Sequence, residues 1–165
     1  MRAVDPEDLP VFFEQQLDPE ANRMAAFTAA DPSDREAFAA RWARILADDT
    51  VTVTTILADD GAVAGSVLLW RDPALDGPEV SYWLGNEFWG RGLATAVLRL
   101  FLAEIETRPL YGRAAKDNLA SIRVLEKCGF AFEREGRGYA PARGEEIAEV
   151  VLRLDAPYHR EMRVS

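Results

Sequence analysis

Residues 79–95, E-V-S-Y-W-L-G-N-E-F-W-G-R-G-L-A-T, leave the backbone few choices. Residues 79–84 alternate and are rich in aromatics, the pattern of a half-buried strand. Gly85-Asn86 breaks the pattern, and Gly90 and Gly92 let the chain curl with its N–H groups turned inward. The apolar period from Leu93 onward predicts a helix. Strand, tight glycine loop and helix start therefore follow one another. A helix N-terminus with bare N–H groups is a ready anion site, and two glycines let a phosphate approach the backbone. Taken alone, the stretch reads equally as an ordinary turn, because glycine punctuates turns everywhere.

Length and charge narrow the classes. The 165 residues suit one domain with a full hydrophobic core, and 48% are hydrophobic. A net charge of −9 argues against a general nucleic-acid binder, which needs a basic stripe. It suits a cationic substrate, and equally a protein that is acidic for solubility. No apolar run reaches the ~20 residues of a membrane span, and residues 1–6 have no signal-peptide core. A single cysteine cannot form an internal disulfide, which fits the cytoplasm.

The rest of the chain supplies an element order. Leu9, Phe12, Phe13 and Leu17 mark an amphipathic helix that Asp18-Pro19 ends. Residues 22–32 read as a loop or a short helical turn. Ser33-Asp34-Arg35-Glu36 forms a capping box ahead of a helix carrying Phe38, Trp42, Ile45 and Leu46 on one side. These two helices are placed to wall a substrate cleft. Residues 50–57 and 62–70 are strands about an Asp-Gly hairpin turn, and Gly65 signals a bulge or a close approach. Residues 79–84 complete an antiparallel meander. The helix over 93–106 turns Leu93, Ala96, Val97, Leu100 and Phe101 inward, and Thr107-Arg108-Pro109 stops it. Residues 110–115 form a strand parallel to 79–84 across a helical crossover. Asp117-Asn118 caps a helix over 119–128 that Gly129 closes. A strand over 130–135, a glycine- and arginine-rich loop over 136–144 and a strand over 146–154 follow, and the tail from Asp155 reads as frayed. The class is α+β: a mixed, mainly antiparallel sheet with a central parallel strand pair, flanked by helices.

A second motif sharpens the function. Asn118-Leu-Ala-Ser121-Ile-Arg-Val-Leu-Glu-Lys127-Cys-Gly129-Phe130 resembles the second cofactor motif of the GNAT superfamily of acyl-CoA-dependent N-acetyltransferases. Trp89-Gly90-Arg91-Gly92-Leu93-Ala94-Thr95 resembles its pyrophosphate loop, one helix and one strand upstream. With Tyr82-Trp83-Leu84 ahead of the loop, the chain is similar to the ribosomal-protein N-terminal acetyltransferase branch. One departure concerns the acid: many members carry a tyrosine one helical turn before the Gly-Phe pair, where this chain has Leu125.

The resemblance implies acetyl-CoA as co-substrate, bound by Trp83, Leu84, Gly85, Trp89, Gly90, Arg91, Gly92, Leu93, Ala94, Thr95, Asn118 and Ser121. The pyrophosphate would lie on the N–H groups of Gly90 to Thr95, with Arg91 either adding a charge or simply solvated. The pantetheine arm would pair with the free backbone of residues 83–85, where the parallel strands must splay, and the Leu84 N–H would polarise the thioester. Asn118 serves the arm, the helix cap or both. Glu79 is the candidate base for an amine that arrives as ammonium. Ser121 is placed to contact the cofactor or return a proton to the thiolate, and Tyr139 is a further candidate acid or acceptor wall. The implied acceptor is a primary amine, on a protein N-terminus or a small molecule. A non-catalytic acyl-CoA sensor would keep the loop and lack a working base. The state is monomer or homodimer.

Other chemistries fit less well. Cys128 has only His159 in the tail as a partner and reads as a buried helix cysteine. No Cys, His and carboxylate cluster has metal-ligand spacing, so no metal is expected. Gly90-x-Gly92-x-x-Thr95 lacks the third glycine of a dinucleotide fingerprint, and no Gly-Lys-Ser/Thr follows for a P-loop.

Overall fold

The computed structural model describes residues 1–157; His159 lies outside them. A two-residue strand β1 (Arg2–Ala3) precedes helices α1 (Asp8–Gln16), α2 (Pro19–Ala25) and α3 (Arg35–Ala47). The meander β2 (Thr52–Leu57), β3 (Val63–Arg71) and β4 (Pro78–Leu84) follows, then a 3-10 turn over Asn86–Phe88 and helix α4 (Leu93–Ala103). β5 (Leu110–Ala115), α5 (Leu119–Lys127) and the hairpin β6 (Ala131–Ala140) and β7 (Glu145–Leu154) complete the order. The seven strands form one sheet in the order β1-β2-β3-β4-β5-β7-β6. Every pairing is antiparallel except β4 with β5. No described helix is long and apolar enough to cross a membrane.

Strand alternation sorts the sheet into two faces. Val67, Leu69, Val80, Leu84, Leu110, Ala114, Val150, Leu152 and Leu154 pack against α4 and α5, and this is the main core. The opposite face carries Ser66, Leu68 and Trp70 of β3 and Glu79, Ser81 and Trp83 of β4. Arg113 of β5 and Glu149 of β7 lie on it too. α1 crosses that face, and α3 stacks on α1. Phe12 and Trp42 stack at 5.0 Å and 29°, and Phe13 meets Phe38 edge-on at 5.2 Å. Each such pair is worth about 1 kcal/mol beyond its buried area.

Several local expectations shift in the folded chain. Asp18-Pro19 ends α1 and also starts α2: the Asp18 carboxylate accepts the Ala21 N–H at 2.8 Å, with proline in the first turn. The capping box at Ser33 does not form. Asp34 takes the cap instead, accepting from Ala37 N–H at 2.9 Å, while Ser33 donates to Asp31. α4 is rotated from its expected face. It buries Val97, Leu98, Phe101 and Leu102, leaves Ala96 and Leu100 outside, and ends three residues short of 106. The loop expected over 136–144 is largely strand, because pairing with β7 overrides the low strand propensity of Gly136 and Gly138. Tyr139 therefore stands 64% exposed on an edge strand and is no wall of the cleft. Gly65 meets its expectation, since a Cβ there would lie 1.8 Å from the Trp83 carbonyl oxygen.

Asp8 ties the N-terminus to the sheet. Its carboxylate accepts two bonds from Arg2 at 2.7 Å each, the Thr55 hydroxyl at 2.7 Å and the Asp5 N–H at 2.9 Å. The Arg2 bonds, partly offset by burial and helped by Asp5 and Thr55, bring its pKa from 3.8 down to about 2. A depressed carboxylate pKa adds stability that is complete above the unfolded value and lost as pH falls through the folded one. Asp8→Asn is therefore expected to cost about 2 kcal/mol near neutral pH. In urea titrations the gap from wild type should shrink between about pH 4 and pH 2; a gap constant with pH would contradict this.

Candidate active site

β4 and β5 are joined by one bridge, between Glu79 and Tyr111, although both strands run on. Above that bridge the edge of β4 facing β5 is unpaired. Successive N–H groups of a strand alternate sides. The Gly85 N–H donates to Ala64 on the β3 side at 2.9 Å, so the Leu84 N–H points into the opening. The Leu84 carbonyl is taken by the Trp89 indole N–H at 3.1 Å, which pins the glycine loop to the end of β4.

Gly90 and Gly92 have φ of +73° and +72°, left-handed values that a side chain would strain. Neither has an atom within 4 Å of its Cβ position, so the loop is open above them. Gly92 caps α4 without a side-chain bond, and no acidic residue occupies the first turn. The first N–H groups of the 11-residue α4 are thus bare and free of competing negative charge.

A cleft of about 1040 Å3 runs from this loop, past the opening, to the face walled by α1 and α3. Trp83, Leu84, Trp89, Gly90, Gly92, Leu93, Ala94, Thr95, Asn118, Ser121 and Glu79 all line it. Arg91 does not: it is exposed, with its guanidinium 5.9 Å from the Phe88 ring. Gly85 is packed on Gln15 and its N–H is taken by Ala64. Asn118 uses both ends within the protein, accepting the Ser121 N–H at 3.3 Å and donating to the Met24 carbonyl at 3.2 Å. Its side chain caps α5 and ties that helix to α2.

The acid question has a packing answer. Leu125 is buried against Gly112 of β5, whose Cβ position lies 2.8 Å from Leu125 Cδ2. On the same side, Tyr82 faces Ser121 across the cleft wall. Burial pushes the Tyr82 hydroxyl up, and the Ser121 side chain opposes that shift. Cys128 is fully buried and its thiol is pushed up to about 11 by burial, an inert state. Among the described residues no group of three or more metal-ligating side chains converges.

Glu79 sits at the foot of the opening, 6% exposed. Arg113 donates to its Oε2 from Nε at 3.1 Å and Nη2 at 2.7 Å, and Nη2 also bonds Asp72. Among the described residues Oε1 has no partner. Burial raises the Glu79 pKa, Arg113 opposes the shift, and Asp72 and Glu149 add to it. Arg113 is the residue that sequence reasoning missed. A charge in the middle of the apolar strand L-Y-G-R-A-A was the available signal.

The family described as acetyltransferase (GNAT) domain matches residues 1–131. The chain is 32% identical over 120 residues to "Putative ribosomal N-acetyltransferase YdaF" of Bacillus subtilis (strain 168), covering 67% of this chain. The match spans 65% of that relative's own length, just under two thirds. Spermidine N-acetyltransferase from Vibrio cholerae, solved with CoA and spermine, is similar with a TM-score of 0.80 and 16% identity over 95% of each chain. Mycobacterium smegmatis RimJ, solved with CoA-disulfide, is similar with a TM-score of 0.78 and 19% identity over 94% of this chain and 80% of that one. At these identities the structural likeness is one of fold.

Arg113→Met removes the counter-charge from Glu79 and Asp72. Leaving two carboxylates near one another without it is expected to cost about 3 kcal/mol in urea denaturation near neutral pH. Adding Glu79→Gln to that variant should recover part of the loss; additive losses would show that the pair is not coupled.

Proposed function

The chain belongs to the acetyltransferase (GNAT) domain family, and from that premise we propose that residues 1–165 form a single acyl-CoA N-acetyltransferase domain acting on a primary amine. The observation that carries the reading is one continuous cleft. At one end lies the bare α4 N-terminus, at the other the buried carboxylate of Glu79, with the unpaired strand edge between them. The residues suit acetyl-CoA: open glycines and free N–H groups for a pyrophosphate, and an unpaired strand edge for the amides of an extended arm. When bound, the thioester supplies an acetyl group activated toward attack by an amine.

The chain's own groups then have distinct tasks. The Leu84 N–H polarises the thioester carbonyl. Glu79, held through Oε2 by Arg113, presents Oε1 to take the proton that the ammonium must lose before the free amine attacks, directly or through water. Its pKa, raised by burial, shifts the acid limb of kcat/KM upward. Ser121 contacts the arm and donates a hydrogen bond to the departing sulfur, which leaves as a thiolate and takes its proton from solvent. The acceptor amine belongs to a protein N-terminus, as the name of the Bacillus subtilis relative suggests, or to a small molecule. We place the protein in the cytoplasm as a monomer or homodimer.

One observation favours a non-catalytic sensor: Leu125 packs where many members of the superfamily have a tyrosine acid. Thermal unfolding with acetyl-CoA, followed by thiol release on a panel of amines and N-terminal peptides, separates the two. Ligand at ~100 times its dissociation constant adds roughly 2.7 kcal/mol of stability. Amine-dependent thiol release supports the enzyme; a melting shift without release supports the sensor. Glu79→Gln should lower kcat about 100-fold with coenzyme A affinity intact. Gly92→Glu places bulk and charge in the cradle and should abolish coenzyme A binding in calorimetry; unchanged affinity would remove the cradle assignment.

A further inference from the structure

α3 carries a charge that no described residue balances. Arg41 is exposed and lines the cleft with Phe38, Trp42 and Ile45 of the same helix. Its neighbours one turn away are Ala37, Phe38, Arg44 and Ile45, none of them acidic. Among the described residues Arg41 has no hydrogen-bond or ion-pair partner. Desolvation by the cleft walls and the charge of Arg44 both push its pKa down, and no carboxylate opposes them. Arg35 on the same helix shows the contrast: it pairs with Glu14 at 3.7 Å and lies over the Phe13 ring at 4.2 Å. In a chain of net charge −9, a guanidinium left facing a cleft is set for an anion from outside.

The sheet face of the cleft offers neutral donors. Ser66 and Trp83 are cross-strand partners on β3 and β4, and Ser81 lies two residues from Trp83 on the same face. All three line the cleft. Ser66 is 4% exposed, and neither its hydroxyl nor that of Ser81 has a hydrogen-bond partner among the described residues. The Trp83 indole N–H is a buried donor without a partner. An indole can only donate, so whatever completes it brings an acceptor atom. The carboxylates lie at the β4–β5 seam and beyond it. Glu79 and Glu149 line the cleft there, Arg113 acts on both, and Arg134 stands beside Glu149 at the Gly136 position. An ammonium therefore suits the seam, and a carboxylate suits the Arg41 wall. A phosphate, with close to two charges, would set one guanidinium against its own excess and the two glutamates. A peptide brings as many backbone donors as acceptors, which does not match a surface of free donors.

We infer that Arg41 receives a carboxylate of the acceptor, with Ser66, Ser81 and Trp83 as neutral donors on the facing sheet, and that the acceptor is a small amino carboxylate with an apolar body. Phe12, Phe38, Trp42 and Trp70 line the space for that body. The inference rests on the acetyltransferase reading and names the substrate class of that site. The ammonium loses its proton to Glu79 as before; Arg41 binds and orients.

The test is calorimetric titration into the protein saturated with coenzyme A. The probes are two pairs of amines that differ by one carboxylate: phenylalanine with 2-phenylethylamine, and 4-(aminomethyl)benzoate with benzylamine. In at least one pair the acid should bind wild type about tenfold or more tightly than its bare amine. Arg41→Met, on an exposed helical position, should remove that preference. The inference is overturned if neither acid binds wild type, if the bare amine binds as tightly in both pairs, if Arg41→Met keeps the preference, or if an N-terminal peptide binds more tightly than both acids. Failure of coenzyme A itself to bind wild type would instead overturn the underlying acetyltransferase reading.

Discussion

Parallel strands ordinarily pair for as long as both last, because a buried N–H or C=O left without a partner costs about 1–3 kcal/mol. β4 and β5 pair at Glu79 and Tyr111 and then part, in the middle of a seven-stranded sheet. The two halves of the sheet are held together there by little backbone bonding, so other contacts must do it. Part of the work falls to the core beneath, where α4 and α5 bring Leu98, Phe101 and Leu125 against strands from both halves. The glycine loop adds to it through the Trp89 bond to Leu84. In return the opening exposes a row of strand amides inside the protein, beside a helix N-terminus, and that combination is what an extended phosphate-bearing ligand needs.

The charges at the foot of the opening follow from the same parting. Arg113 on β5 reaches across to Glu79 on β4 and to Asp72 beyond β3, so one guanidinium spans the seam just where backbone pairing ends. Such a buried cluster is a poor source of net stability, since removing ions from water offsets most of their attraction. Its effect here is positional. Arg113 fixes Oε2 of Glu79 and leaves Oε1 uncommitted, which orients a carboxylate whose pKa burial has already raised. A base held in one orientation, with a proton affinity above that of a free carboxylate, suits an amine better than a solvated glutamate does.

The glycine-loop end of the cleft was legible in the sequence because its determinants are local. Gly90, Gly92 and the α4 start lie within a few residues of one another, and their left-handed turns are written in the glycines themselves. Asn118 as the cap of α5 is local in the same sense. The end of the cleft around Glu79 was not legible, because each part of it depends on pairing between distant segments. Arg113 acquires its role only when β5 lies beside β4. Gly136 and Gly138 read as loop residues until β7 pairs with β6 and sets Glu149 over them. The face of α4 was misread for the same reason: Leu100 and Leu98 look alike in sequence, and only the sheet decides which is buried.

Leu125 shows how such a distant pairing reshapes chemistry. Gly112 has no side chain, and Leu125 fills the space that a Cβ there would need, which draws α5 onto β5. The position is thereby committed to hydrocarbon packing, and a buried hydroxyl there would need a partner that this wall does not offer. Hydroxyl groups that line the cleft beside α5 include Ser121 and, behind it on β4, Tyr82. In the acetyltransferase reading, the hydrogen bond to the departing sulfur comes from Ser121 because packing has closed the other position. The same close fit of α5 that removes a tyrosine from the site brings the first turn of that helix, and Ser121 with it, up to the end of the opening.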